Sequence, residues 1–165
     1  MIGRHGVVAA VLLAAFCGAA PAATLAGRVV AVHDGDTLTL LVERTQIRVR
    51  LAGIDAPERG QPYASAARRS LAARVAGREV TVDVRGRDNY GRSLGVVRVE
   101  GEDVNRAQVR DGWAWVFRRF EHDEVLLALE DEARRGRRGL WRDAHPEAPW
   151  AFRERQPRSA PASAK

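Results

Sequence analysis

Cysteine is almost missing from this chain. Cys17 is the one cysteine in 165 residues, and it lies in an N-terminal stretch expected to be removed. A mature chain without thiols has no disulfides and no clustered cysteines for zinc. It also lacks the paired histidines of a zinc site. Its stability must come from a hydrophobic core or from bound ligands. Lysine is equally scarce: Lys165 is the one lysine among 27 basic residues, and the net charge is +6. Arginine forks match phosphate oxygens in pairs and do not titrate near neutral pH. Such a balance suits nucleic acid, anionic lipid or acidic polysaccharide. An arginine-rich genome would leave the same surface, so charge alone does not separate these. Internal repeats are absent too.

Long apolar runs are also lacking. "GVVAAVLLAAF", Gly6 to Phe16, is too short to span a bilayer comfortably. Arg4 and His5 precede it, small residues follow, and Ala20-Pro21-Ala22 fits a signal-peptidase site. The expectation is an export signal, residues 1–22, cleaved after about Ala22, with the mature chain in the periplasm or outside the cell. An uncleaved anchor is the alternative, and the shortness of the run argues against it. Phe16 before Cys17 argues against a lipid anchor. The remainder is long enough for one hydrophobic core.

What is present alternates. "GRVVAVH" (27–33), "DTLTLLVE" (36–43) and "IRVRLAGI" (47–54) read as three strands, with "RTQ" (44–46) as the second turn. Ala64, Ala67, Leu71 and Val75 then recur at helical spacing, and Gly77 ends that helix. "REVTVDVR" (78–85) and "SLGVVRVEG" (93–101) read as strands four and five around the loop "GRDNYGR". A short helix is predicted over 102–112. A longer one is predicted over 121–135, burying Val125, Leu126, Leu129 and Ala133. The polar segment 153–165 is expected to be a disordered basic tail. The pattern indicates an α+β fold: a five-stranded OB-type Greek-key β-barrel with about three helices.

The chemistry begins where strand two starts and strand three ends. In a hairpin these ends lie side by side, so Asp36 of "DGDT" meets Asp55 of "RLAGIDAPE". Two close carboxylates repel unless a cation sits between them. Their hard oxygens suit calcium first, with magnesium or manganese as second choices. Pro57 restrains the backbone and holds Glu58 nearby, either to activate a water or to support a hydration shell. Arg50 raises a difficulty. Simple alternation puts it on the face opposite Asp55 unless the strand bends or bulges at Gly53. "RDNYGR" delivers Arg92 to the head of strand five. Trp113, Trp115 and Trp141 read as packing residues, and His33 adjoins the site.

"VHDGDT", "RLAGIDAPE" and "DNYGR", in this order and at these gaps, resemble the thermonuclease family, the staphylococcal nuclease type. The resemblance runs from about Gly27 to Trp141 and includes "VNRAQVRDGWA" and "GLW". It implies that residues 23–152 form an OB-fold domain hydrolysing DNA and RNA with one calcium ion, cutting at the 5′ oxygen to leave 3′-phosphate ends. Asp36 and Asp55 would be metal ligands, with the backbone carbonyl of Ala56 a third. Glu58 would be the general base, and Arg50 and Arg92 the phosphate clamps. Tyr90 and Arg118 would line the nucleotide. Arg118 stands where the type member has tyrosine, and Ala56 where it has threonine. The loop after Glu58 is short. No stable protein partner and no membrane contact of the mature form are implied, and a monomer is expected. The rivals are a non-catalytic OB-fold module that binds single strands, and a surface protein that uses its arginines on acidic polymers.

Overall fold

The computed structural model describes residues 23–119 and 123–156. The expected signal (1–22), the end of the expected tail (157–165) and residues 120–122, which include the start of the third expected helix, lie outside the described residues. Among the described residues no helix is long and apolar enough to cross a membrane.

The strands β1 (Thr24–Val32), β2 (Thr37–Val42) and β3 (Thr45–Leu51) form the antiparallel meander that alternation predicts. The β2–β3 turn is tighter than predicted. Val42 pairs with Thr45, so only Glu43 and Arg44 make the turn, with Glu43 at φ 54°. Strand three also stops earlier than its pattern suggests. The chain turns at Ala52–Gly53, with Gly53 at φ 77°, a conformation that favours glycine. It then resumes as the two-residue β4 (Ile54–Asp55), which pairs with Trp115–Val116, β8, in a separate small sheet.

The barrel closes through β5 (Glu79–Arg87) and β6 (Ser93–Val99). β1 pairs with β2 through its second half and with β5 through its first. β6 runs antiparallel to β5, and its start lies parallel to the end of β3, Val49 opposite Ser93. That last pairing joins the sheet to itself. Bulges between Val29 and Ala31 and between Val84 and Gly86 supply the bend a small barrel needs. The result is an α+β fold built on a closed OB-type barrel of five strands.

Its core is aliphatic. Leu38, Leu40, Val49, Leu51, Val82 and Val97 are each 0% exposed, and each contributes about 1.5–3 kcal/mol by burial. Helix α1 (Ala64–Val75) adds Ala67, Leu71 and Val75, as its spacing predicts. The stretch expected to be one helix from Glu102 opens as β7 (Glu102–Asp103), which folds back on β6. Helix α2 (Val104–Arg110) then starts on an Asp103 cap. Helix α3 (Glu124–Arg135) buries Leu126 and Ala133, while Leu129 is partly buried against the core. Val125 differs from expectation: it is exposed, and Glu130 takes the buried face instead. The cause is electrostatic. Glu130 accepts the Val116 amide (2.8 Å) and faces Arg118 and Arg134, so this carboxylate is fully satisfied inside.

A fourth helix, α4 (Pro149–Arg155), stands where periodicity predicts the end of the domain and a tail from Arg153. Proline at its first position suits a helix start. Trp150 anchors it, edge-on to Trp115 and stacked on Phe117, both at 5.7 Å between centroids. Trp115 and Trp141 are buried packing residues, 4.3 Å apart edge to face, with Arg134 over both rings.

Candidate active site

Asp36 lies one residue before β2. The turn ahead of it is held by Asp34, whose Oδ1 accepts the Asp36 amide at 3.0 Å, and by buried Gln108, which donates to the Gly35 carbonyl at 2.8 Å. A Cβ on Gly35 would come within 2.6–2.7 Å of Ala67 and Ala56, so only glycine lets the turn pack onto α1 here. Thr37 Oγ1 donates to Asp36 Oδ1 (2.9 Å), and the Ala56 amide donates to Oδ2 (2.8 Å). Asp36 is thereby fixed beside the end of β3, and Leu51 donates its amide to the Asp36 carbonyl.

The bend at Gly53 removes the difficulty with Arg50. Its Nη1 donates to Asp36 Oδ2 (3.2 Å) and its Nη2 to Asp55 Oδ1 (2.8 Å). One guanidinium thus spans the two aspartates, which are 5% and 1% exposed. Burial pushes the Asp55 carboxyl up; the Asp36 charge adds to this, against the pull of Arg153 and Arg50. Burial, then the Asp36 charge, pushes Asp34 up to about 7.

Glu58 stands at the rim, its side chain 39% exposed. Its amide donates to Gln61 Oε1, and Gln61 in turn donates to the Glu147 carbonyl. Arg92 reaches the other edge. Its Nη1 lies 3.5 Å from Thr37 Oγ1, and Asp88 holds its Nε at 2.6 Å. Asp88 also accepts the amides of Tyr90 and Arg92, which shapes the "DNYGR" turn. Tyr90 is exposed beside the Arg92 guanidinium, 5.4 Å from ring centroid to charge. Arg118 Nη2 donates to buried Glu130 at 2.6 Å, on the wall of an open cleft that also includes Phe117, Trp150 and Arg153. His33 bonds Thr39 and Arg48 rather than the carboxylates.

Sequence reasoning misses Arg153. Its guanidinium contacts both Asp55 and Glu58. The one available signal was Pro149 followed by an aromatic and an arginine three residues on, a short helix rather than a tail.

The donor set fits a hard divalent ion. Among the described residues no three His, Cys, Asp or Glu side chains cluster to enclose a metal. Asp36 and Asp55 offer buried carboxylate oxygens, with Ala56 adjoining. Such hard oxygens are the donors that an oxygen-seeking divalent ion would take.

The family model described as Staphylococcal nuclease homologue matches residues 48–143, a segment holding Arg50, Asp55, Glu58 and Arg92. An Escherichia coli O157:H7 protein named "Uncharacterized endonuclease" is 46% identical over 135 residues, 81% of this chain and 88% of that one. The Escherichia coli "Protein ParB" is 45% identical over 157 residues, covering 88% of this chain and 89% of its own. A Shigella flexneri "Micrococcal nuclease" is 43% identical over 138 residues, 77% and 79% of the two chains. With the barrel, the three ordered motifs and a match over more than half its length, the chain belongs to the family of staphylococcal nuclease homologues.

Proposed function

We propose that the chain is an exported, calcium-dependent nuclease that hydrolyses phosphodiester bonds of DNA and RNA with little sequence preference and leaves 3′-phosphate ends. The observation that carries this reading is the convergence of Asp36, Arg50 and Asp55, with Arg92 reaching Thr37 and Glu58 joined to Asp55 through Arg153. Relatives named endonuclease and micrococcal nuclease support it.

A phosphodiester is anionic and repels an attacking hydroxide. Asp36, Asp55 and the Ala56 carbonyl would hold the ion, and when bound it supplies positive charge to the phosphate and the reacting oxygens. Arg50 and Arg92 present planar forks to the remaining phosphate oxygens and stabilise the greater charge of the transition state. Glu58, open to solvent, orients a water and accepts its proton. The export signal rests on the N-terminal sequence, and the basic balance suits a polyanionic substrate.

The test is digestion of single-stranded DNA by the mature chain, with calcium and with a chelator. Calcium-dependent fragments carrying 3′-phosphates are expected. Strand binding without cutting would favour the OB-fold binding module. Calcium at about a hundred times its Kd should stabilise the fold by about 2.7 kcal/mol, several degrees in Tm. Asp36→Ala should lose that rise together with activity. A variant keeping the full calcium-induced shift would remove Asp36 from the ligand set.

Arg92→Lys keeps the charge but not the fork. Hydrolysis should fall by about ten-fold or more, with Tm near wild type. Wild-type kcat/KM in this variant would show that Arg92 serves only the Asp88 turn.

A further inference from the structure

The last described helix brings a charge into the site that none of the sequence motifs carries. Arg153, in α4, donates from Nη2 to Asp55 Oδ2 at 2.7 Å and from Nη1 to Asp55 Oδ1 at 3.2 Å. The same Nη1 donates to Glu58 Oε1 at 2.5 Å. Arg50 also donates to Asp55 Oδ1. Both oxygens of a carboxylate only 1% exposed are therefore occupied by guanidinium donors. Arg153 lies outside the segment 48–143 shared with the family. Its helix is nevertheless well seated, through buried Pro149 and through Trp150 against Phe117 and Trp115. The Arg153 side chain is itself 41% exposed. It sits at the lip of an open cleft of about 850 Å³ bounded by Phe117, Arg118, Trp150 and Glu154. The guanidinium thus has space to leave the carboxylates without the helix moving.

We propose that Arg153 is a built-in counter-ion that competes with the divalent cation for Asp55 and ties Glu58 to it until the cation takes its place. This rests on the cation reading above. Asp55 and Glu58 face Arg153, while Arg50 remains to balance Asp36. A cation arriving at Asp55 must displace one guanidinium. Arg153 is the more exposed of the two, 41% against 14%, so its ion pair is the more screened by water and the easier to displace. Displacement frees Glu58 at the same moment and turns the guanidinium toward the cleft, where an anionic strand is its next partner. The arrangement would lower the affinity for the ion and link its arrival to release of the base.

The test is isothermal titration of calcium chloride into the mature chain, into Arg153→Gln and into Arg153→Lys, each first checked for a cooperative thermal transition. Glutamine removes the competing charge, so calcium should bind about ten-fold tighter or more, the scale of one charged hydrogen-bonded pair. A lysine ammonium lacks the fork that spans both carboxylates, and Arg153→Lys should lie between the two. Merely structural work by Arg153 would give the opposite sign, because loosening α4 weakens the site. Unchanged or weaker calcium binding in both variants would therefore overturn the proposal. Absence of calcium binding in all three proteins would overturn the cation reading as well, which separates the two failures.

Discussion

Replacing Glu58 with glutamine should lower hydrolysis of single-stranded DNA by about 10²- to 10⁴-fold, the usual reach of general-base catalysis, and should leave strand binding and calcium binding near wild type. Glutamine has the shape of glutamate but cannot accept the proton. The backbone that carries residue 58 is held independently of its side chain, by the hydrogen bond its N–H donates to Gln61 Oε1 and the one Gln61 donates to the Glu147 carbonyl. The side chain's partner, Arg153, lies on the outer helix, so the substitution opens no cavity in the core. The deciding measurement is kcat beside Kd for an uncut oligonucleotide and for calcium. A parallel loss of turnover and both affinities would assign Glu58 to the architecture of the rim. An unchanged kcat would remove it from the chemistry altogether.

The second large effect is on the fold. Asn105→Leu should destabilise the protein by about 3 kcal/mol or more, because buried backbone groups lose their partners. Asn105 is 2% exposed. Its Oδ1 accepts the Val97 amide, and its Nδ2 donates to the Ala52 and Gly95 carbonyls at 2.9 and 3.1 Å. Gly95 keeps its bond from the Ala52 amide. Val97 N–H and the Ala52 carbonyl would be left without that partner. Ala52 is the first residue of the bend that carries Asp55 to Arg50, so calcium affinity should fall with stability. Urea unfolding reads the first effect and calcium titration the second. A change below about 0.5 kcal/mol, the size of an inert surface substitution, would mean that other contacts hold the bend.

The site was largely legible because its residues sit at strand ends. A hairpin register and two short motifs suffice to bring Asp36 beside Asp55, and the structure pairs Thr37 with Arg50 accordingly. Alternation failed at Arg50 for a definable reason. It presumes continuous pleating, and Gly53 at φ 77° breaks the pleat between the arginine and the aspartate. The Arg118–Glu130 pair was not legible, because Glu130 lies in α3 and Arg118 on the turn after β8. Val125 was misjudged because periodicity assigns a carboxylate to the solvent side, whereas Glu130 accepts hydrogen bonds from three donors inside.

The sequence by itself determined the five strands, the first helix, the pair of aspartates at one sheet end and the family, because each is written in short-range spacing. The tertiary structure decided three other things: closure of the barrel by the parallel contact of Val49 with Ser93, the bend that turns Arg50 onto both aspartates, and the return of α4 to set Arg153 against Asp55. Each joins residues through packing and charge rather than through period. Arg153 and Asp55 are 98 positions apart. No local pattern encodes such a contact; it forms only once Trp150 has found Trp115 and Phe117 and the helix has a surface on which to rest.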